Sequence, residues 1–388
     1  MKTPIFWLQL RHQPMQTISA VVGIAFITIL LFSQIGFRTS FLTTLVHLPS
    51  RLNADIVMFD SSLTTILRST PFSHHRLYQA LADDDVVAVD PLYLAVGQMR
   101  DPAGSPNFLE LVQFVGVPLG RDILRIAEFS ENEGVLYQRR SLLIDTKSRA
   151  DFAPVIASVQ SDGVYRTEIR AGPNQKAVRI EALFALGSNT SANAHVIGSD
   201  VTFMDVHRRD RSEIDLGLVK LRPGADANDV AARLSKALPP DVKVLTKEKL
   251  IQSERAFYEF ETPIGVIFRF GLGGAIGVGV VILYQILFQM MSKYIRDYAT
   301  LKAIGFSENA LKGVVLKSAL FLAAAGFIPG VILSYVMYSV VGQATALDFR
   351  MTPDIVVLVF ATICLICVVS ALLAIRKLRD ADPADLFG

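Results

Sequence analysis

Four long apolar runs divide the chain, and the segments between them are polar enough to stand in water. Gln13–Phe37, Phe270–Ser292, Ser318–Leu347 and Ile355–Ile375 contain no Asp, Glu, Lys or Arg. Each reaches the roughly 20 apolar residues that a spanning helix requires. The pattern predicts membrane helices at 15–37, 264–291, 318–342 and 355–375. It leaves a large polar domain at 38–262, a loop at 292–317, a short link at 343–354 and a tail at 376–388. The third run holds Pro329-Gly330, which predicts a kink or a re-entrant turn. The first run is longer than the roughly 7–15 residues of a signal-peptide core, and Ser33–Phe37 offers no A-x-A site. A retained anchor is expected.

Within 38–262, strand-like and helix-like patterns alternate. Ala54–Asp60, Asp85–Val96 (broken at Pro91), Leu109–Val117, Ile214–Leu221 and Val242–Leu245 have the short, β-branched character of strands. Ser73–Ala82 and Asp226–Leu238 have helical spacing. In the second of these, Val230, Leu234, Ala237 and Leu238 share one side, and Pro239-Pro240 end it. Residues 119–211 are weakly periodic and predict short strands with long loops. Two α+β pieces, about 50–118 and 212–246, therefore flank an inserted middle. Lys247–Glu261 is helical and polar, and predicts a stalk at 247–262 leading into the second span. At the other end, Ile5–Arg11 combines a Trp and bulky apolar groups with a basic residue, as suits an interfacial helix within 1–14.

Composition and charge narrow the class. The 388 residues are 51% apolar with a mean hydropathy of +0.41, too apolar for an ordinary soluble protein. The net charge of +2 comes from scattered basic residues, so no nucleic-acid partner is expected. Lys2 and Arg11 precede the first run, and Arg376, Lys377 and Arg379 follow the fourth. Between the second and third stand Lys293, Arg296, Lys302, Lys312 and Lys317, against Asp297 and Glu308. By the positive-inside bias, both termini and the 292–317 loop are expected in the cytoplasm, with 38–262 and 343–354 outside.

Little in the sequence points to chemistry on this chain. No Walker A motif occurs, so ATP is not expected to bind here and no cofactor is expected. There is no H-E-x-x-H or G-x-S-x-G; His74-His75 point apart, and the six histidines are expected at the surface. Cys364 and Cys367 form C-x-x-C inside the fourth run, where packing is expected rather than redox or metal chemistry. No ionisable residue lies deep in any run, which argues against ion-coupled transport. Gln285 and Gln289, one turn apart, are expected to hydrogen-bond between helices. Gly273-x-x-x-Gly277 predicts a small-residue face for close helix packing, within the chain or against a second copy.

The loop Ser292–Lys317 reads SKYIRDYATLKAIGFSENALKGVVLK. Ile295, Tyr298, Leu301 and Ile304 share one helical face, with Arg296, Thr300 and Lys302 displaced from it. Gly305 is a C-terminal stop and Ser307 a possible new N-cap. Spacing alone leaves two readings open, a basic connector or a short amphipathic helix that docks onto a partner.

RDYATLKAIGF resembles the loop between the second and third spans in the MacB/FtsX superfamily of ABC-transporter permeases. There the pattern R-E-x-x-x-x-K/R-A-I/M-G forms a coupling helix that sits in a groove of the ATPase. Tyr298, Ala299, Thr300, Leu301, Lys302 and Ala303 match the EYATLKA form of the DevC branch, with Asp297 in place of the usual Glu. Trp7-Leu8-Gln9-Leu10, followed by Gly23, Ile24, Phe26, Gln34, Gly36 and Phe37, resembles the DevC-type opening. Glu261–Gly265 resembles ETPIG, Tyr284–Leu287 resembles YQIL, and Asp382–Leu386 resembles the end of the wider superfamily. The resemblance covers both membrane halves and rests on position alone over Leu119–Asp210.

The resemblance implies a MacB-like fold: an α-helical membrane protein with four transmembrane helices and a large α+β periplasmic domain between the first and second. The pieces at 50–118 and 212–246 would be porter-like, with 119–211 as an inserted subdomain. Arg296, Asp297, Tyr298, Ala299, Thr300, Leu301, Lys302, Ala303, Ile304 and Gly305 would form the coupling helix. The chain would be a permease rather than an enzyme, in a bacterial inner membrane, with ATP and Mg held by a separate ABC ATPase subunit. The implied assembly is a homodimer in a tripartite efflux exporter, with a periplasmic membrane-fusion protein and a TolC-like outer-membrane channel. Its implied action is mechanotransmission that expels a lipid, glycolipid or other amphiphilic cargo. Two alternatives come from the same superfamily. One is an FtsX-like regulator of a periplasmic enzyme, although FtsX external domains are smaller than 38–262. The other is a lipoprotein-releasing permease.

Overall fold

The computed structural model describes residues 12, 14–66, 70–102, 109–187, 192–293, 308–345 and 347–379. The chain first forms helices α1 (Pro14–Leu45) and α2 (His47–Arg51), strands β1 (Ile56–Asp60) and β2 (Phe72–Ser73), and helix α3 (His74–Gln79). Strands β3 (Val86–Arg100) and β4 (Leu109–Val117), helix α4 (Ala127–Asn132), strand β5 (Ser141–Asp145) and helix α5 (Ala153–Asp162) follow. Next come β6 (Tyr165–Ala171), β7 (Asn174–Phe184), β8 (Ala194–Ser199), α6 (Asp200–His207), β9 (Glu213–Ile214) and β10 (Leu216–Leu221). The chain ends through α7 (Ala227–Ala237), β11 (Val242–Thr246), α8 (Lys247–Ala256), α9 (Pro263–Lys293), α10 (Glu308–Thr345) and α11 (Pro353–Arg379). Two compact units result, a helical one of residues 1–39, 266–340 and 349–388 and an α/β one of residues 40–265 and 341–348.

Among the described residues, four helices are long and apolar enough to cross a membrane: Pro14–Leu45, Pro263–Lys293, Lys312–Gly342 and Pro353–Arg376. The re-entrant turn expected at Pro329-Gly330 does not form, and α10 runs on through both residues. Close packing holds it there: a Cβ added to Gly330 would lie 2.5 Å from Thr28 Cβ, and Ser334 Oγ donates to Gly330 O at 2.7 Å. Lacking its own side chain, Gly330 lets α10 approach α1 without leaving the helical path.

The α/β unit is built on one nine-stranded sheet in the order β11-β1-β10-β3-β4-β8-β5-β7-β6. Strand β3 joins its two halves. Its first part pairs with β10 up to Leu92↔Leu216, and its second part pairs with β4 from Tyr93↔Gly116 onward. Strand β6 also returns to β3 at Gln98↔Arg170 and Met99↔Ile169, so β3, β4, β8, β5, β7 and β6 close on themselves. One hydrophobic core, with Phe114, Phe152 and Phe203, fills one side; a second, with Phe59, Phe129 and Phe184, fills the other.

Several local expectations need correction. Pro91 does not break its strand: it faces Gly217 just before β3 changes partner from β10 to β4, where a missing N–H disturbs the ladder least. Residues 119–211 hold β5 to β8 together with α4 to α6, not mainly loops; mixed parallel and antiparallel pairing buries β5 and β8 on both faces and erases the alternation that marks a strand. Strand β4 and the second part of β3 pair with this middle region, β4 with β8 and β3 with β6. Ile214–Leu221 is two strands: β9 pairs with β2, and β10 pairs with β1 and β3. The histidines are not all superficial, for His195 on β8 is buried and His207 on α6 stacks on Phe203 at 4.6 Å.

Candidate functional site

The residues expected to form the coupling helix, Arg296 to Gly305, lie outside the described residues, as does all of 294–307. The helices on either side of that loop are described, and both are firmly seated. Leu283, Leu287 and Met290 near the end of α9, and Val315, Ala319, Leu322 and Ala323 near the start of α10, are buried in one core. Helix α1, through Ala20, Ile24, Ile27, Leu31, Phe32 and Ile35, and helix α11, through Val359, Ile363, Ile366, Cys367, Ala371 and Ala374, supply most of the rest of that core.

Small residues set the close approaches around α1. A Cβ on Gly326 would lie 2.5 Å from Ile24 Cβ, one on Gly23 would lie 2.9 Å from Ile286 Cδ1, and one on Gly36 would lie 2.8 Å from Tyr338 Cε1. Tyr338 OH donates to Phe32 O at 2.6 Å, and Ser370 Oγ of α11 donates to Val280 O of α9 at 3.1 Å. In hydrocarbon such contacts and polar links take the place of the hydrophobic drive between helices. Gly23, Ile24 and Gly36, which carry part of the resemblance in the first span, thus have a packing role. Cys367 is buried in this core and Cys364 is partly buried; both are free thiols.

Gly273 and Gly277 behave differently. Among the described residues, a Cβ on either would meet no packing atom within 4 Å. Gln285 and Gln289 are exposed on α9 and make no interhelical bond among the described residues. Of the four spans α9 is the most exposed and α1 the most buried.

In the α/β unit, the stalk is fixed at its base by buried polar groups. Thr246 caps α8 by accepting from Lys249 N at 3.3 Å. Lys247 Nζ donates to Leu52 O at 2.6 Å, and its backbone N–H donates to Asp55 O at 3.0 Å. One turn on, Leu250 packs with Leu48 and Leu52 of the entering chain. Glu254, 1% exposed, accepts from Thr65 Oγ1 and from Ile66 N, each at 2.8 Å. Burial pushes the Glu254 carboxyl above its ordinary range, and burial pulls Lys247 below its own. The spacing of Lys247, Leu250 and Glu254 (i, i+3, i+7) puts charged groups on the buried stripe. That signal is visible in the sequence and is the one that would have exposed this anchor.

Beyond Ala256 the helix loosens into a π-helical turn, Phe257–Glu261, a form common at functional sites. Phe41 and Tyr258 meet there, ring centroids 6.1 Å apart. Thr262 is extended, and its Oγ1 donates to Tyr258 O at 2.7 Å and accepts from Gly265 N at 3.4 Å. Pro263 then opens α9 with its ring φ already helical. A Cβ on Gly265 would come within 2.6 Å of Tyr258 O and closer still to Glu259 O. The run Glu261–Gly265 is therefore a cap, a helix-starting proline and an obligatory small residue.

A second buried charge holds the point where β3 changes partner. Asp215, between β9 and β10, accepts from Leu94 N at 2.8 Å and from Arg209 Nη1 at 2.7 Å, while its own N–H donates to Leu92 O at 3.2 Å.

Comparison with known proteins gives one family. Residues 269–383 match the family model FtsX-like permease C-terminal. No curated protein matches the chain. Among solved structures, the periplasmic region of MacB from Actinobacillus actinomycetemcomitans is similar at 9% identity and TM-score 0.33, over 52% of this chain and 93% of that one. The extracellular domain of the ABC-type transporter YknZ from Gram-positive bacteria is similar at 12% identity and TM-score 0.33, over 49% of this chain and 99% of that one. The chain thus combines an FtsX-like permease C-terminal domain over 269–383 with four apolar helices and an α/β unit between the first two of them.

Proposed function

We propose that this chain is the membrane subunit of a DevC-like, ATP-driven tripartite exporter. Residues 296–305 form a coupling helix that docks in a separate ABC ATPase, with both termini cytoplasmic and 38–262 periplasmic. Closure of the ATPases moves the coupling helix, α9 and the stalk α8 carry the motion outward, and the α/β unit expels an amphiphilic cargo. That cargo leaves through a membrane-fusion protein and an outer-membrane channel. The observation that carries this reading is the FtsX-like match, which includes the whole of 294–307. The seating of α9 and α10 on both sides of that loop supports it, because a lever needs rigid arms.

The working unit is a dimer that meets along α9. Gly273 and Gly277 leave room for a close approach, and the exposed amides of Gln285 and Gln289 would find partners on a second copy instead of standing in lipid. A photo-crosslinker at Leu301, with the cognate ATPase co-expressed, tests the docking. A crosslink to the ATPase from Leu301 and none from Gln343 is expected. The reverse pattern would overturn the reading. Stimulation of hydrolysis that required a cell-wall hydrolase, not a fusion protein, would favour an FtsX-like regulator instead.

A further inference from the structure

Where β5, β7 and β6 lie side by side, the α/β unit carries more positive charge than it neutralises. Ser141, Arg179 and Arg166 are register partners across these three strands. Arg166 and Arg179 thus stand directly opposite each other as like charges, an arrangement that weakens strand pairing. Arg139 and Arg140 immediately precede Ser141, and Lys176 lies on β7. Among the described residues these five cations meet two carboxylates. Asp205 of α6 accepts from Arg140 Nε at 2.6 Å, with Arg139 and Lys176 each at 3.8 Å, and Glu181 lies 3.3 Å from Arg179. Glu168, two residues beyond Arg166, is already held by Arg100 and Gln175.

The cluster is held in shape. Arg140 adopts a left-handed backbone, φ 61°, which a residue with a side chain keeps only when its surroundings over-determine it. Here its N–H reaches Thr202 Oγ1 at 3.3 Å, and its carbonyl accepts from Arg179 N at 2.9 Å. Arg179 Nη2 in turn donates to Gln138 Oε1 at 3.0 Å and to Ser141 Oγ at 3.2 Å. Arg139, with 77% of its side chain exposed, and the exposed Arg166 flank Arg179, and Tyr137, two residues before Arg139 in sequence, is 68% exposed.

We propose that this surface docks an acidic segment of a protein partner, with the forks of Arg139 and Arg166 taking its carboxylates and Tyr137 an apolar side chain. A protein is favoured over an anionic bilayer because the cations are nearly all Arg, fixed in orientation and interleaved with carboxylates. Such a surface rewards placed carboxylates, whereas a bilayer rewards net charge alone. Tyr and Arg are also the residues that protein interfaces enrich. The proposal concerns the α/β unit alone and stands whether or not the exporter reading holds.

The test titrates the full chain, in phosphatidylcholine nanodiscs, with a fluorescent synthetic peptide alternating Glu with Leu. Saturable binding is expected, weakened at least about tenfold by Arg139→Glu/Arg166→Glu. Lys236→Glu/Lys249→Glu, the same change of charge on α7 and α8, should leave it unchanged. Should the first variant fold poorly, Arg139→Gln/Arg166→Gln is expected to give an intermediate loss. Absence of binding to the unaltered chain, or equal losses in the two charge-reversal pairs, would overturn the proposal. So would arginine-dependent binding of phosphatidylglycerol vesicles without binding of the peptide.

Discussion

Glu254 of the stalk helix and Thr65 of the loop after β1 are joined by a 2.8 Å hydrogen bond between two buried side chains. The bond ties the segment that leaves the α/β unit to a loop near its first strand, 189 residues apart in sequence. A hydrogen bond to a charged group contributes about 1.5–3 kcal/mol. Thr65→Val should therefore lower the stability of the α/β unit by that order in denaturant unfolding. Glu254→Leu should lose ATPase coupling while the membrane unit still assembles. If Thr65→Val unfolds at the same denaturant concentration as the unaltered chain, the anchor is incidental.

Two groups of glycines should respond oppositely. Gly326→Ala places a methyl against Ile24 and the Val21 carbonyl, at 2.5 Å and 2.9 Å, and overpacking of this kind costs about 1–3 kcal/mol. A lower melting temperature in detergent is expected. Gly273→Leu should leave that temperature unchanged in the isolated subunit and weaken self-association, measured by crosslinking. Equal behaviour of the two variants in both assays would remove the distinction.

Acid should loosen the α/β unit through its buried histidines. Burial holds His195 at about 3 and, with Arg209 adding to it, His207 at about 4, both below the ordinary 6.5. The unfolded chain therefore takes up these protons first, and stability is lost as pH falls from about 6.5 toward 4. Asp145 opposes this, since burial raises it to about 6, so the folded form gains from its protonation as pH falls through that value. His207→Phe keeps the stack on Phe203 and removes one labile group. Its melting temperature relative to the unaltered chain should rise steadily between pH 7 and pH 4.5, and parallel curves would count against the assignment.

The bundle and the α/β unit between its first two helices are legible in the sequence because hydrocarbon tolerates no charge and the runs have none. Caps at Ser73, Asp226 and Thr246 are legible for a local reason: each side chain accepts from a backbone N–H two or three residues on. What resists reading is non-local. Nothing near Pro91 shows that β3 exchanges one partner for another, and nothing near His195 shows that β8 is covered on both faces. The coupling motif is the reverse case, plain in sequence and outside the described residues.

Orientation has a direct test. Reporters at Ser105 and Gln343 should be periplasmic, and those at Glu308 and Gly388 cytoplasmic, as the loop charges require. A cytoplasmic Ser105 would invert the whole arrangement.

The central claim is that residues 296–305 couple this permease to an ATPase by position, not by bulk charge. Inserting one Ala after Tyr298 turns every residue beyond it by about 100° of helix, moving Leu301, Lys302 and Ile304 off the contact face. The measurement is ATP hydrolysis by the cognate ATPase reconstituted with this variant, beside Glu308→Gln, which lies beyond 296–305. The account predicts that stimulation is lost with the insertion and kept with Glu308→Gln, while both chains insert and fold. Normal binding and stimulation by the insertion variant would contradict it and leave the loop an ordinary basic connector.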